Sequence, residues 1–161
     1  MSQTPTAARP WDRIARALQH ALPPDADRHV RMQAFVRAAW EPLAPTGVSW
    51  LGFYERDPSD ASQLLLAARE PKPACSPIGL HGACGQCLVA AKPLVVRDVA
   101  DLGAGYIACD PRDRSEVVVP CLEASGRAWG VLDLDSHDLG SFGPADAEAL
   151  ASLLRMAGLS A

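Results

Sequence analysis

Residues 115–121 and 127–135 restrict the fold most: two runs of strand-forming residues divided by Ala124-Ser125-Gly126. Such runs around a glycine-bearing turn read as an antiparallel hairpin. With Ser125 and Gly126 at the centre of the turn, Glu116 is predicted to face Asp135, and Val118 to face Asp133. Facing residues, and residues two apart, project from the same side of a sheet. Glu116, Asp133 and Asp135 are therefore expected on one face, and Val117, Val119, Leu132 and Leu134 on the other. The acidic face has two readings. It can be a solvated outer surface, which antiparallel sheets often have. It can instead be the wall of a cleft that attracts an ammonium group. There, crowded carboxyls raise one another's pKa, and one could donate a proton near neutral pH.

The rest of the chain supplies cover for such a sheet. Trp11, Ile14, Leu18 and Leu22 recur at helical spacing until Pro23-Pro24 stops the pattern. A second helix is predicted over about 27–40, with Asp25 or Asp27 as cap and Val30, Phe35, Val36, Ala39 and Trp40 as its apolar stripe. Strands are expected at 48–55 and 63–69 around the turn Asp57-Pro58-Ser59-Asp60, and at 94–97. Residues 70–82 hold three prolines and two glycines and are expected to form a loop. A short helix is predicted at 83–91, and residues 98–114 form a second long loop, the kind that often carries function. Gly143-Pro144 opens a last helix that buries Ala147, Leu150, Leu153 and Leu154. This order indicates an α+β fold: an antiparallel sheet covered by helices rather than alternating β-α units. The expected organisation is a flexible N-terminus at 1–10 and one domain at 11–161.

Composition narrows the function. The formal charge is −4 and the arginines are scattered, so the basic stripe of a nucleic-acid-binding protein is missing. No apolar run reaches bilayer-spanning length, and Met1 to Pro10 lacks a secretory core, so the expected setting is cytoplasmic, away from membranes. The 161 residues contain five cysteines, at 75, 84, 87, 109 and 121. An odd, clustered set in such a chain points to redox chemistry, metal binding or plain core packing rather than to a disulfide framework. Cys84 falls at a predicted helix start, which would lower its pKa. Cys84-Gly85-Gln86-Cys87 could be half of a zinc site completed by Cys75, His81, Cys109 or Cys121, but a second half-motif is missing. Cys121 is expected to be core. His137 follows the acidic strand and is expected to be a solvated loop residue. No phosphate-cradling glycine loop is present.

Several strings together are specific: Ser-Trp-Leu-Gly-Phe-Tyr at 49–54, Lys-Pro-Ala-Cys at 72–75, Gly-Ala-Cys-Gly at 82–85, Tyr-Ile-Ala-Cys-Asp at 106–110, Ser-Glu-Val-Val-Val-Pro at 115–120 and Gly-Val-Leu-Asp-Leu-Asp-Ser at 130–136. In this order they resemble the free methionine-(R)-sulfoxide reductases, which are built on a GAF domain. The resemblance spans residues 10–158. It implies a GAF-like sheet of about six antiparallel strands flanked by N- and C-terminal helices, often dimeric and without a cofactor or metal. It implies that Cys109 attacks the sulfoxide sulfur, that Cys75 resolves the product as a disulfide, and that Cys84 can join the exchange. It further implies that Glu116, Asp133 and Asp135 surround the substrate, that Trp50 and Tyr54 wall the pocket, and that thioredoxin is the reductant. The chain departs from the family in a shorter 75–84 segment, in Ser76-Pro77, and in the extra Cys87 and Cys121. The departures leave Cys75, Cys84 and Cys87 all open as the resolving thiol. Two other classes stay open: a GAF module that binds a small ligand without catalysis, and a redox or zinc sensor. A single-domain chain favours the enzyme.

Overall fold

In the computed structural model, which describes residues 8–106 and 109–161, the hairpin lies near the middle of a six-stranded sheet. The strands are β1 (Val48–Arg56), β2 (Gln63–Glu70), β3 (Ile78–Gly79), β4 (Leu94–Val96), β5 (Ser115–Leu122) and β6 (Ala128–Ser136). Their spatial order is β3-β2-β1-β6-β5-β4, and all neighbours are antiparallel. The fold class therefore agrees with the sequence reading.

One face of the sheet carries Leu51, Phe53, Val117, Val119, Leu132 and Leu134. Helices α1 (Trp11–Ala21), α2 (Arg28–Leu43) and α4 (Pro144–Met156) cover it. Each of these large side chains is fully buried, which stabilises the fold by roughly 1.5–3 kcal/mol apiece. Phe35 of α2 meets Phe53 edge-on, ring centres 5.4 Å apart, a geometry that suits the ring quadrupoles. Asp27 caps α2 by accepting from Val30 N at 2.9 Å. Val30 itself is exposed, because the stripe runs instead through Met32, Phe35, Val36 and Ala39 to Pro42 and Leu43. Cys121 and the predicted stripe of α4 lie in this core.

The predicted facing pairs are observed: Glu116 with Asp135 and Val118 with Asp133. The connection differs from the two-residue turn expected. Glu123 N donates to Arg127 O and Gly126 N to Glu123 O, closing a three-residue loop with Gly126 at φ +86°. A bulge at Trp129 then restores the register, since Leu122 faces Ala128 but Cys121 faces Gly130. Bulging turns the indole of Trp129 into the helix-side core, where its N–H donates to Leu159 O at 3.1 Å.

Two segments expected to be irregular or loose carry order. Residues 78–79 of the proline-rich loop pair with Gln63 and Leu64 as β3. Arg9, assigned by sequence to the flexible tail, is buried: its guanidinium donates to Asp146 at 2.9 Å and to Ser141 O at 3.0 Å, and stacks 4.6 Å from the Phe142 ring centre. The rest of that tail, residues 1–7, lies outside the described residues. No helix among the described residues is long and apolar enough to cross a membrane.

The other face carries α3 (Ala83–Ala90) and the two long loops, and the site lies beneath them. Gly85 lets α3 press on the backbone of Leu80; a methyl there would overlap it. Backbone cannot move aside as a side-chain tip can. Gly85→Ala is expected to lower the unfolding free energy by about 1–3 kcal/mol, read by urea titration. An unchanged midpoint would mean that α3 is not seated this closely.

Candidate active site

Three strands place the acids. On the face opposite the helices, Trp50 of β1, Asp135 of β6 and Glu116 of β5 lie in one cross-strand row. The next row is Gly52, Asp133 and Val118. Gly52 has a steric role: a methyl there would strike the Trp50 ring and approach Ala68 O to 2.9 Å. The missing side chain lets the indole lie over the strand beside Asp133.

These residues line a narrow cleft of about 40 Å³ together with Tyr54, Ala74, Ile78, Ala83, Cys84, Tyr106, Cys109 and Asp113. All eight residues singled out in the sequence therefore meet at one place. Seven line the cleft, and the eighth, Cys75, is joined to Cys109 by a disulfide, Cα atoms 5.6 Å apart. Both of these cysteines are exposed, so the disulfide forms part of the rim. Ile107 and Ala108, inside the motif that precedes Cys109, lie outside the described residues.

The aromatic wall also holds the rim. Trp50 Nε1–H donates to Lys72 O at 2.8 Å, and Tyr54 O–H donates to Cys75 O at 2.8 Å. Burial, then the charges of Asp133, Cys84 and the other acids, keeps the Tyr54 hydroxyl protonated far above its ordinary range.

The floor is acidic and dry. Glu116 and Asp133 are buried, and Asp135 is half-buried. Burial raises the pKa of all three, and their mutual charge raises Asp133 and Asp135 further. The Cys84 sulfur and carboxyl oxygens of Glu116 and Asp133 lie within 4.8 Å of one another. Among the described residues, Oδ1 of Asp133 has no hydrogen-bond partner. Magnitudes decide the charge state. Leaving a carboxylate buried and unpaired costs several kcal/mol even after relaxation, up to about 20 in the Born limit. Keeping an ordinary carboxyl protonated at pH 7 costs only about 4 kcal/mol. Asp133 is thus a protonated acid with a free oxygen in the cleft, able to donate to Glu116 or to a ligand oxygen.

Two residues depart from the sequence reading. Cys84 does sit at a helix start, but its pKa is raised well above the ordinary thiol value, by burial first and then by Asp133, Glu116 and Asp135. A helix terminus contributes too little to offset that environment. Cys87 is buried outside the cleft, its thiol pushed up to about 12 by burial and by Glu116. His137 is an exposed loop residue, as expected, and its Nε2 lies 3.5 Å from both Asp110 and Asp113. Asp113 and Tyr106 line the cleft and were not found by sequence. Asp113 is buried, accepts from Ser49 Oγ at 3.3 Å, and has its pKa raised by burial and by Asp110. Both come from the long loop, where no periodicity marks which side chain turns inward.

Among the described residues, two groups have donor atoms close enough to share a metal ion: Cys84 with Glu116 and Asp133, and Asp110 with Asp113 and His137. Neither contains both thiols of the C-x-x-C pair, so that motif does not build the zinc site considered for it.

A GAF domain family model matches residues 25–159. The free methionine-R-sulfoxide reductase of Neisseria meningitidis, solved with its substrate, is 30% identical and superposes with a TM-score of 0.78, covering 98% of this chain and 90% of that one. The free methionine-R-sulfoxide reductases of Saccharomyces cerevisiae and Escherichia coli are each 34% identical, over 73% and 68% of this chain. The alignments span 65% and 64% of those two proteins, slightly under two thirds of their length. The chain belongs to the GAF-domain family, and within it to the free methionine-(R)-sulfoxide reductase group.

The buried acids make stability depend on pH with a definite sign. A carboxyl whose folded pKa is raised stabilises the fold fully below its unfolded pKa, and that contribution is lost as pH rises through the folded value. Asp133→Asn keeps the neutral shape at every pH. Its melting temperature relative to the parent is expected to climb as pH goes from about 4 to about 8. A difference that stays constant over this range would mean that Asp133 is ionised in its pocket.

Proposed function

We propose that this protein reduces free methionine (R)-sulfoxide to methionine, using Cys109 as nucleophile and Cys75 as resolving thiol. The observation that carries this reading is the Cys75–Cys109 disulfide at the rim of a cleft whose floor holds a protonated carboxyl. In the reduced protein the Cys109 thiolate attacks the sulfoxide sulfur. A floor acid protonates the oxygen, which passes to Cys109 as a sulfenic acid while methionine leaves. The Cys75 thiol then condenses with it, releasing water and forming the disulfide. A dithiol reductant of the thioredoxin class returns both cysteines to thiols by exchange. Exposure of both cysteines suits that last step.

The cleft supports the choice of a free amino acid. An α-ammonium group brings the positive charge that the carboxyls lack, and a residue inside a peptide has none. Trp50 and Tyr54 supply the apolar wall for the thioether end. Cys84 is reserve rather than first partner, because its buried, raised-pKa thiol is a poor nucleophile.

The test supplies thioredoxin, its reductase and NADPH with free R or S methionine sulfoxide, or with a peptide containing it. NADPH oxidation is expected with the free R form only, and none after Cys109→Ser. Cys75→Ser is expected to release about one methionine per chain and then stall, because the sulfenic acid has lost its partner. Equal turnover of the peptide would overturn the ammonium argument. Tight binding of the free amino acid without turnover would favour a sensing module instead.

A further inference from the structure

Two residues of the cysteine motifs stand beside the cleft, in a second cavity that shares Trp50, Cys109 and Asp135 with it: Lys72 of Lys-Pro-Ala-Cys and Asp110 of Cys-Asp. Each flanks one of the two bonded cysteines, and the fold brings them together. Lys72 Nζ lies 3.3 Å from Asp110 Oδ2. Among the described residues this is the one side-chain ion pair that ties the Cys75 segment to the Cys109 segment.

Both ends of the link are anchored. On one side, the Lys72 and Cys75 carbonyls are held by Trp50 and Tyr54, both rooted in β1. On the other side, Asp110 opens a tight turn: its Oδ1 accepts from Arg112 N at 3.0 Å, and Asp113 N donates to Asp110 O at 3.1 Å. Arg114 N then joins that turn to Ser136 O at 2.8 Å. The guanidinium and the backbone N–H of Arg112, together with Lys72, hold the Asp110 carboxyl well below the usual carboxylate range, so it is charged at working pH. His137 Nε2 also faces it, at 3.5 Å.

We propose that Lys72 and Asp110 are positioning residues for the resolving step, clamping the Cys75 segment against the Cys109 segment while no covalent bond joins them. The proposal rests on the disulfide being the product of turnover. The step is Cys109 sulfenic acid plus Cys75 thiol giving the disulfide and water. In the chain the two cysteines are 34 residues apart. Bringing the ends of such a segment together costs entropy unless other contacts have already done so. The clamp supplies that proximity, so it acts on resolution, a step that can be timed separately from methionine release.

The experiment follows the full chain, reduced and without thioredoxin, after mixing with free methionine (R)-sulfoxide. Methionine release is read alongside the Cys75–Cys109 disulfide and dimedone-trapped Cys109 sulfenic acid, both by peptide mass spectrometry. Lys72→Met and Asp110→Asn are expected to form the disulfide about fivefold more slowly once the sulfenic acid has formed, in line with what a partly exposed ion pair contributes. Trapped sulfenic acid should rise to match. Lys72→Arg should restore the rate, and added salt should slow the parent toward Lys72→Met. A second arm generates the sulfenic acid with hydrogen peroxide, so resolution is measured even if methionine sulfoxide is not turned over. Parental disulfide rates in Lys72→Met, or a Lys72→Arg variant as slow as Lys72→Met, would overturn the clamp. Absent methionine release with a normal peroxide arm would overturn the substrate reading alone.

Discussion

The site depends on one arrangement: three neighbouring antiparallel strands in a register that sends aliphatic side chains to one face and carboxyls to the other. Shifting β5 by a single residue against β6 would invert both sets. Glu116 would enter the helix-packed core, and Val117 would enter the cleft. Neither outcome is tolerable, because an unpaired carboxylate in that core costs far more than a hairpin gains. The core thus selects the register, and the register assembles the site.

The same arrangement separates two chemical tasks that would interfere if mixed. Burial and crowding raise the pKa of Asp133 and Asp135, which suits donation to a leaving oxygen. A thiol in that place is held protonated as well, as Cys84 is. The paired cysteines instead sit at the exposed rim, away from the full desolvation that silences Cys84. The rim is carried by loops, yet Trp50 and Tyr54 tie it to the sheet, so sulfur and acid keep a common frame.

Legibility in the sequence followed how local each constraint was. The facing of Glu116 with Asp135 could be read because alternation extends along both strands, and it survived although the turn was of another kind. The two irregularities, a three-residue loop and the Trp129 bulge, cancel. The helices were legible from their apolar period, although Val30 was misplaced because Met32 lies on the stripe that meets β1 and β2. The strand at 78–79 was not legible, since its order comes from pairing with Gln63 and Leu64 and not from its own residues. Arg9 was assigned to the tail because a polar residue before the first helix carries no sign of its partner Asp146, which lies 137 positions away.

For the site, the residue types and their strand faces could be read from the chain alone, and the motif strings named the group of proteins it resembles. What the sequence determined was therefore the periodic part: the acid-bearing face, the apolar face and the order of helices and strands. The tertiary structure decided which thiols meet, that Cys75 and not Cys87 pairs with Cys109, that Asp113 and Tyr106 turn into the cleft, and that Cys84 is silenced rather than activated. The reason is physical. Alternation is imposed by the local backbone, whereas thiol pairing and carboxyl protonation depend on distance, burial and neighbouring charge, which exist only once remote segments have packed together.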